Sequence, residues 1–395
     1  MTTNFQLNLN DMNTQTTLSL LVSQKFIEIF GQTPAIYSSP GRINLIGEHT
    51  DYNGGFVFPG AVDKAIFCAI RLNGTSRVNA YSLDMNENCS FGLNEEDKPT
   101  HSWACYIFGV CREMIKRGYR VEGFDAVFCG NVPLGAGMSS SAAFECTFAF
   151  ALNDLLGHNI DRLELALIGQ ATEHNYCGVM CGIMDQFASM FGKEGYLIRL
   201  DCRTMEYAYF PLDTEKYGYR LVLLNSCVKH ELVGSPYNER RSSCERVAKH
   251  LGRNFLRGIT LDELDAIKNE ISSEDYQRAR YVVGEEQRVL TVCEALSEGD
   301  LEKVGEMMYA THEGLSKEYE VSCEELDMLV DIAKECGVSG SRIMGGGFGG
   351  CTINLVKEEL YDNFIATAIE KFANRYGHAP EIIPIVISDG AHRVE

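Results

Sequence analysis

The chain has 395 residues, 45% of them hydrophobic, and a formal net charge of −20 from 55 acidic against 35 basic residues. Such a length can bury two separate cores, and so acidic a balance argues against nucleic acid, which asks for a basic face. The 15 cysteines are odd in number, and several, such as Cys68, Cys129 and Cys146, stand in apolar runs; they read as reduced thiols of a cytoplasmic protein, not as a disulfide framework.

Residues 1–15 are polar and expected to fray. The first 22 residues have no basic stretch followed by an apolar one, and no apolar run could span a membrane, so neither a secretory signal nor a membrane partner is expected. Residues 17–30 carry apolar side chains at helical spacing and stop at Gly31. A short strand over 36–39 precedes GRINLIGEHTDYNGG, a loop dense in polar groups. Residues 57–83 read as a strand pair, and 103–117 as a helix. A strand over 125–129 runs into NVPLGAGMSSSA and then an apolar helix over 140–156. A second helix, 161–176, opens with an Asp161…Glu164 capping pattern and closes near Gly178. A turn over 182–186, another apolar helix and a strand over 195–200 follow. Residues 219–225, YRLVLLN, form a strong buried strand. Charged helices over 237–250, 277–297, 301–316 and 323–336 then alternate with strands near 342–344, 351–356 and 382–387. The boundary between two domains, 1–214 and 215–395, is expected in the turn near residues 211–217.

NVPLGAGMSSSAA (131–143) combines three features suited to an anion. Gly135 and Gly137 allow positive φ and close approach of a ligand to the backbone. Ser139, Ser140 and Ser141 bring hydroxyls to a helix start, where orphan N–H groups and a partial positive charge converge. No Lys follows, so this is not a Walker A loop, and Ser140 stands where a dinucleotide fingerprint needs its third Gly. A Gly-rich turn before a Ser-capped helix remains the plainer alternative. A second cluster, GGGFGG (345–350), leads into a strand and suits a tight turn against the first loop, or a plain hairpin.

Arg42, Asn44, Glu48, His49 and Asp51 crowd into ten residues. Convergent carboxylates and a His suit a ligand rich in hydroxyls, since each buried unpaired OH costs affinity. The bland alternative is a solvated loop with Arg42 paired to Asp51. Asp185 follows the Gly182 turn at a helix N-terminus; it can anchor a substrate O–H, or simply cap the helix. A weak base suffices where the hydroxyl proton leaves late, as in a loose phosphoryl transfer. His174, Cys177 and Cys181 have faintly metal-like spacing but lack a second ligand pair for zinc. Trp103, the only tryptophan, could stack on a purine or fill core.

GRINLIGEHTDYN (41–53), NVPLGAGMSSSAA (131–143), GIMDQF (182–187) and RIMGGGFGGCTINL (342–355), in this order, resemble the galactokinase family. That family sits within the galacto-, homoserine, mevalonate and phosphomevalonate kinases; GEHTDYN points to the galactokinase branch. The resemblance implies an α+β chain with an N-terminal domain like the second domain of ribosomal protein S5. It also implies a ferredoxin-like C-terminal domain and an active site between the two. Asp185 would be the catalytic carboxylate facing the sugar O1 hydroxyl, with Arg42 neutralising charge beside it. Glu48, His49, Asp51, Gly182 and Tyr237 would hold galactose. Gly135, Ala136, Gly137, Met138, Ser139, Ser140 and Ser141 would wrap the phosphates of ATP, with Trp103 near the adenine. Ser141 and Glu173 would bind Mg²⁺, and Asn225 would line the site. The implied protein is a monomeric galactose 1-kinase; N-acetylgalactosamine or arabinose kinases, a non-catalytic sugar sensor and a metal-dependent hydrolase are the competing readings.

Overall fold

A computed structural model describes residues 15–94, 98–228 and 235–394. Apart from Gln15, the segment expected to fray lies outside the described residues.

The first half opens with α1 (Gln15–Phe30), then β1 (Ala35–Asn44), β2 (Phe56–Val57), β3 (Pro59–Leu72), β4 (Arg77–Ser82) and β5 (Glu87–Gly92). It continues through α2 (Ala104–Lys116), β6 (Phe124–Gly130), α3 (Ser140–Leu156), α4 (Arg162–Thr172), α5 (Met184–Phe191), β7 (Tyr196–Asp201) and β8 (Tyr207–Pro211). The second half comprises β9 (Tyr219–Asn225), α6 (Ser235–His250), α7 (Leu261–Ala266), α8 (Ser273–Glu298), α9 (Leu301–Lys317) and α10 (Glu324–Glu335). β10 (Gly340–Ile343), β11 (Cys351–Lys357), α11 (Glu358–Tyr376), β12 (Glu381–Pro384) and β13 (His392–Val394) complete it. The fold is mixed α+β, as the resemblance implies.

Among the described residues three sheets form, in the orders β13-β1-β3-β6-β4-β5, β10-β11-β9-β12 and β2-β7-β8. Side chains alternate across each sheet. On β3, Phe67 and Ala69 pack against Leu18, Val22 and Phe26 of α1. Cys68 and Ile70 face the opposite way, into the core formed with α2, α3 and α4. On β9, Val222 and Leu224 pack with α10 and α11, whereas Leu221 and Leu223 join Ile43, Leu45 and Phe58 from the first half. One apolar core therefore ties the two halves together beside the cleft. Asp161 caps α4 by accepting from the Glu164 N–H, and Gly178 ends the turn that extends it, as read from sequence.

Two expectations change. The two strands read as a pair over 57–83 do not pair with each other; β6 lies between them, antiparallel to β3 and parallel to β4. The cause is the crossover through α2, which a purely local reading cannot supply. The polar loop is shorter than read, because β1 runs on to Asn44. A cut at residue 214 separates β8 from β9, but β13 returns to pair with β1, and Ile387 bridges to Val62. α11, which buries Phe364, Ala368 and Phe372 along one stripe, went unread, as did β5, β8, α7 and β13. Cys68, Cys129 and Cys146 are buried thiols outside any disulfide. Among the described residues, no helix is long and apolar enough to cross a membrane.

Candidate active site

One cleft gathers residues from both glycine loops, the polar loop, α5 and α6. Its glycine–serine wall is backbone. Gly135, Gly137 and Ser139 take left-handed φ values of 74°, 71° and 57°, while Ala136 and Met138 between them do not. Such alternation turns successive N–H groups toward one side and makes a concave anion seat. α3 begins at Ser140 and adds its helix N-terminus. A Cβ on Gly137 would stand 2.7 Å from the Met344 carbonyl oxygen, and one on Gly350 would stand 3.1 Å from that of Gly135. The second glycine cluster thus abuts the first, as expected. Met138, Ser139, Ser140 and Ser141 line the cleft with the glycines. Ala136 does not bring its side chain there; it is fully buried in the apolar core.

Ser139 occupies the N-cap position of α3 without capping it. Its hydroxyl instead donates to Asp185 Oδ2. Arg42 donates from Nε and Nη2, each 2.8 Å from Asp185 Oδ1. The same guanidinium donates to the Gly137 carbonyl, and the Arg42 N–H donates to that of Met138 at 3.1 Å. Both carboxylate oxygens are therefore fixed between strand β1 and the glycine–serine loop. The bland pairing of Arg42 with Asp51 does not occur. Asp51 Oδ1 accepts from the Tyr52 N–H at 2.9 Å. Burial, then the nearby Asp185 carboxylate, pushes the Asp51 carboxyl up to about 7. Gly182 must be glycine, because a Cβ there would lie 1.9 Å from Asp51 Oδ2.

Glu48, His49 and Tyr237 complete the opposite wall. Glu48 Oε1 receives the Gly345 N–H at 2.9 Å and two Arg342 N–H groups at 3.3 Å. Arg342, fully buried on β10, also donates to the Leu45 carbonyl at 2.9 Å. The loop is held from behind by α8: Glu285 accepts the Gly47 N–H at 2.8 Å, and the Tyr281 hydroxyl donates to the Glu48 carbonyl at 3.0 Å. Sequence reasoning missed Arg342, Glu285 and Tyr281. Only Arg342, inside a quoted motif, carried any signal. His49 sits at φ 63°, its ring 5.4 Å from that of Tyr237.

Glu173 is buried beside the Ser141 hydroxyl, which donates to it. Burial raises the Glu173 carboxyl to about 7, a shift that the Ser141 hydrogen bond opposes and the Asp185 charge reinforces. The fully buried Glu145 carboxyl lies alongside; burial and then the Glu173 charge push it well up, and its Oε1 has no partner among the described residues. Trp103 lines an adjoining groove with Leu134, Ser140, Ser141 and Phe144, its indole N–H donating to Glu87 at 3.0 Å. Asn225 does not reach the cleft: its amide donates to Glu381 at 2.9 Å and accepts the Cys227 N–H at 3.0 Å. His174 Nε2 meets the Cys181 carbonyl at 2.8 Å.

Comparison with known proteins matches this geometry to one family. The galactokinase galactose-binding signature fits residues 24–72, the N-terminal domain of the GHMP kinases fits 105–193, and their C-terminal domain fits 293–375. The galactokinase of Thermotoga petrophila is 41% identical over 357 residues, 90% of this chain and 99% of that protein. That of Clostridium acetobutylicum is 40% identical over 385 residues, 95% of this chain and 98% of that protein. The chain belongs to the galactokinase family. The crystal structure of Lactococcus lactis galactokinase complexed with galactose superposes with a TM-score of 0.91 at 35% identity, covering 95% of this chain and all of that one. The mevalonate kinase of Methanococcus jannaschii, at 19% identity and a TM-score of 0.62, shares the fold alone. The galactokinase signature covers all of β1, the polar loop and β3, and with them Arg42, Glu48, His49 and Asp51.

Proposed function

We propose that this galactokinase-family chain transfers the γ-phosphoryl group of ATP to the O1 hydroxyl of α-D-galactose. The observation that carries the reading is Asp185, held by Arg42 and Ser139 between the two walls. A hydroxyl on the sugar wall can donate to this carboxylate while its oxygen faces the phosphate seat. Arg42 keeps the carboxylate from swinging away and offsets the negative charge gathered there. Positioning and charge stabilisation then supply most of the catalysis, as a loose phosphoryl-transfer transition state allows.

Gly135, Gly137, Met138, Ser139, Ser140 and Ser141 would hold the phosphates, mainly through backbone N–H groups; Ala136 contributes only backbone. Trp103 would flank the adenine. Glu48, His49, Asp51, Gly182 and Tyr237 would hold the sugar. The donor set of Ser141 and Glu173 suits Mg²⁺, a hard cation bound by one or two carboxylates together with substrate phosphates. The crowded pair of buried carboxyls, Glu145 and Glu173, favours a positive charge there. When bound, Mg²⁺ neutralises charge on the phosphates. The enzyme acts as a cytosolic monomer in this reading. Its two domains divide near residue 214, with β13 crossing back.

An ADP-release assay with galactose and Mg²⁺ tests the proposal, run beside Asp185→Ala and Arg42→Ala. Galactose-dependent ADP release is expected, with kcat lowered by roughly 10²–10⁴ in Asp185→Ala. Turnover of N-acetylgalactosamine or arabinose but not galactose would overturn the substrate; undiminished Asp185→Ala would overturn the mechanism.

A further inference from the structure

His49 is buried at the sugar wall, and its two ring nitrogens face different surroundings. Nδ1 lies 2.7 Å from the Tyr52 hydroxyl. That hydroxyl lies 2.8 Å from the Tyr319 hydroxyl, which lies 3.4 Å from the Cys244 sulfur. Nε2 is buried and makes no hydrogen bond of normal geometry among the described residues. The Gly346 backbone lies close enough to favour a proton on the ring. Burial, then the charge of Arg240, drives the imidazole down to about 3, so it is neutral near pH 7. Burial keeps both tyrosines protonated, and it raises the Cys244 thiol to about 11.

A neutral imidazole carries one N–H, and the partner of one nitrogen decides the role of the other. The chain of hydroxyls can run in two senses. In one, Nδ1–H donates to the Tyr52 oxygen, a poor acceptor, and the last phenol must donate to a thiol sulfur, a poorer one. In the other, Cys244 donates to Tyr319, Tyr319 to Tyr52, and Tyr52 to the Nδ1 lone pair. The second sense pairs the phenol, a good donor, with the imidazole nitrogen, the best acceptor in the chain. It leaves the proton on Nε2.

We propose that Tyr52 and Tyr319 are positioning residues of the sugar site: their hydroxyl chain holds His49 in the Nε2–H form, so that it meets the sugar as a hydrogen-bond donor and selects a hydroxyl oxygen as acceptor. The proposal rests on His49 lining the sugar wall, as under Proposed function. The surroundings fit a rigid device. The His49 ring lies 4.9 Å from that of Tyr319, and the Asn53 amide fixes the His49 carbonyl at 2.9 Å. Arg240 holds the Tyr319 carbonyl at 2.9 Å from α6, the helix that also supplies Tyr237. The two rings that flank His49 are therefore tied to one helix.

Two-bond ¹H–¹⁵N spectra of the free, full-length protein, with His49 assigned by comparison with His49→Gln, read the tautomer directly. The Nε2–H pattern is expected in the wild type, with a shift toward Nδ1–H in Tyr52→Phe and a smaller shift in Tyr319→Phe. An Nδ1–H pattern in the wild type, or no change in either variant, would overturn the relay. Steady-state kinetics supply the second arm. Tyr52→Phe should raise the KM for galactose about tenfold, the worth of one hydrogen bond, while kcat and the KM for ATP stay within about twofold. In a monodeoxygalactose panel, the wild type should penalise loss of one hydroxyl that Tyr52→Phe penalises less. A merely structural role would move both KM values and kcat together. If galactose proves not to be the substrate, turnover is absent while the spectra still report on the relay, so the two failures can be told apart.

Discussion

The two walls of the cleft are built in opposite ways. The wall proposed to hold the phosphates is local: a strand end, three left-handed residues and a helix start within 131–141 make most of it. Its chemistry is mostly backbone. The wall proposed to hold the sugar, the sugar wall, is assembled from afar. Glu48 depends on Arg342 and Gly345, 294 and 297 residues along the chain; the Gly47 N–H depends on Glu285, 238 residues away; and His49 reaches Tyr319 through Tyr52. A local wall can be altered without unfolding its surroundings. An assembled wall couples ligand recognition to the stability of the whole molecule.

The comparison can be broken first at Arg342. Arg342→Met strands the Glu48 carboxylate in the core with a single backbone donor, and breaking such a pair costs about 3–5 kcal/mol. A large fall in melting temperature together with loss of galactose affinity is expected. A stable variant that still binds galactose would show that the sugar wall does not lean on the second half. Gly182→Ala comes next. Its Cβ would collide with Asp51, so the KM for galactose should rise roughly 10–100-fold, as overpacking costs of about 1–3 kcal/mol imply, with the KM for ATP unchanged. Equal effects on both substrates would erase the distinction between the walls.

Asp51→Asn sharpens the comparison through pH. The folded Asp51 carboxyl sits at about 7 against an ordinary value of 3.8, so its neutral form is the one that the fold favours. That stability is complete below about pH 4 and is lost as pH rises through about 7. Asp51→Asn should therefore melt higher than wild type at pH 8, by on the order of 1–2 kcal/mol, and equally at pH 4, while galactose turnover collapses. Thermal melts at the two pH values, beside activity, check this; a variant less stable at pH 8 would refute it. The smallest effect belongs to the other wall. Trp103→Leu should raise the KM for ATP a few-fold, in line with about 0.5–1.5 kcal/mol for an aromatic contact, and leave galactose kinetics alone.

What could be read from the sequence follows the same division. The Gly135–Gly137–Ser139 alternation, the α3 start and the abutting cluster at 345–350 all rest on short-range rules for glycine and helix ends. Arg42, Glu48, His49 and Asp51 were legible as one polar cluster from their spacing; the motif resemblance joined Asp185 to them and assigned each a role. Nothing local says that Arg42 would choose Asp185 over Asp51; that choice depends on α5 packing beside β1. Ser139 was read as part of the phosphate seat, but its hydroxyl turns to Asp185, because the left-handed backbone withdraws it from the capping position. Tyr281, Tyr319 and Glu285 carry no pattern of their own, since their partners stand far away in the chain, whereas Tyr52 stands inside a quoted motif, three residues from His49. α11 had a clear apolar stripe and was simply unread.

The return of β13 to β1 has a consequence for synthesis. Ile36 pairs with Val394 and Ser38 with His392, so an edge of the first sheet to leave the ribosome stays open until residue 394 has emerged. Closing a loop of that span costs little more entropy than closing one half as long, about 0.6 kcal/mol per doubling, so the delay matters more than the free energy. During that delay the Tyr37 strand offers unpaired backbone groups on its outer side, a template for wrong partners. The nascent sheet therefore passes through an aggregation-prone interval that ends only when its last strand arrives.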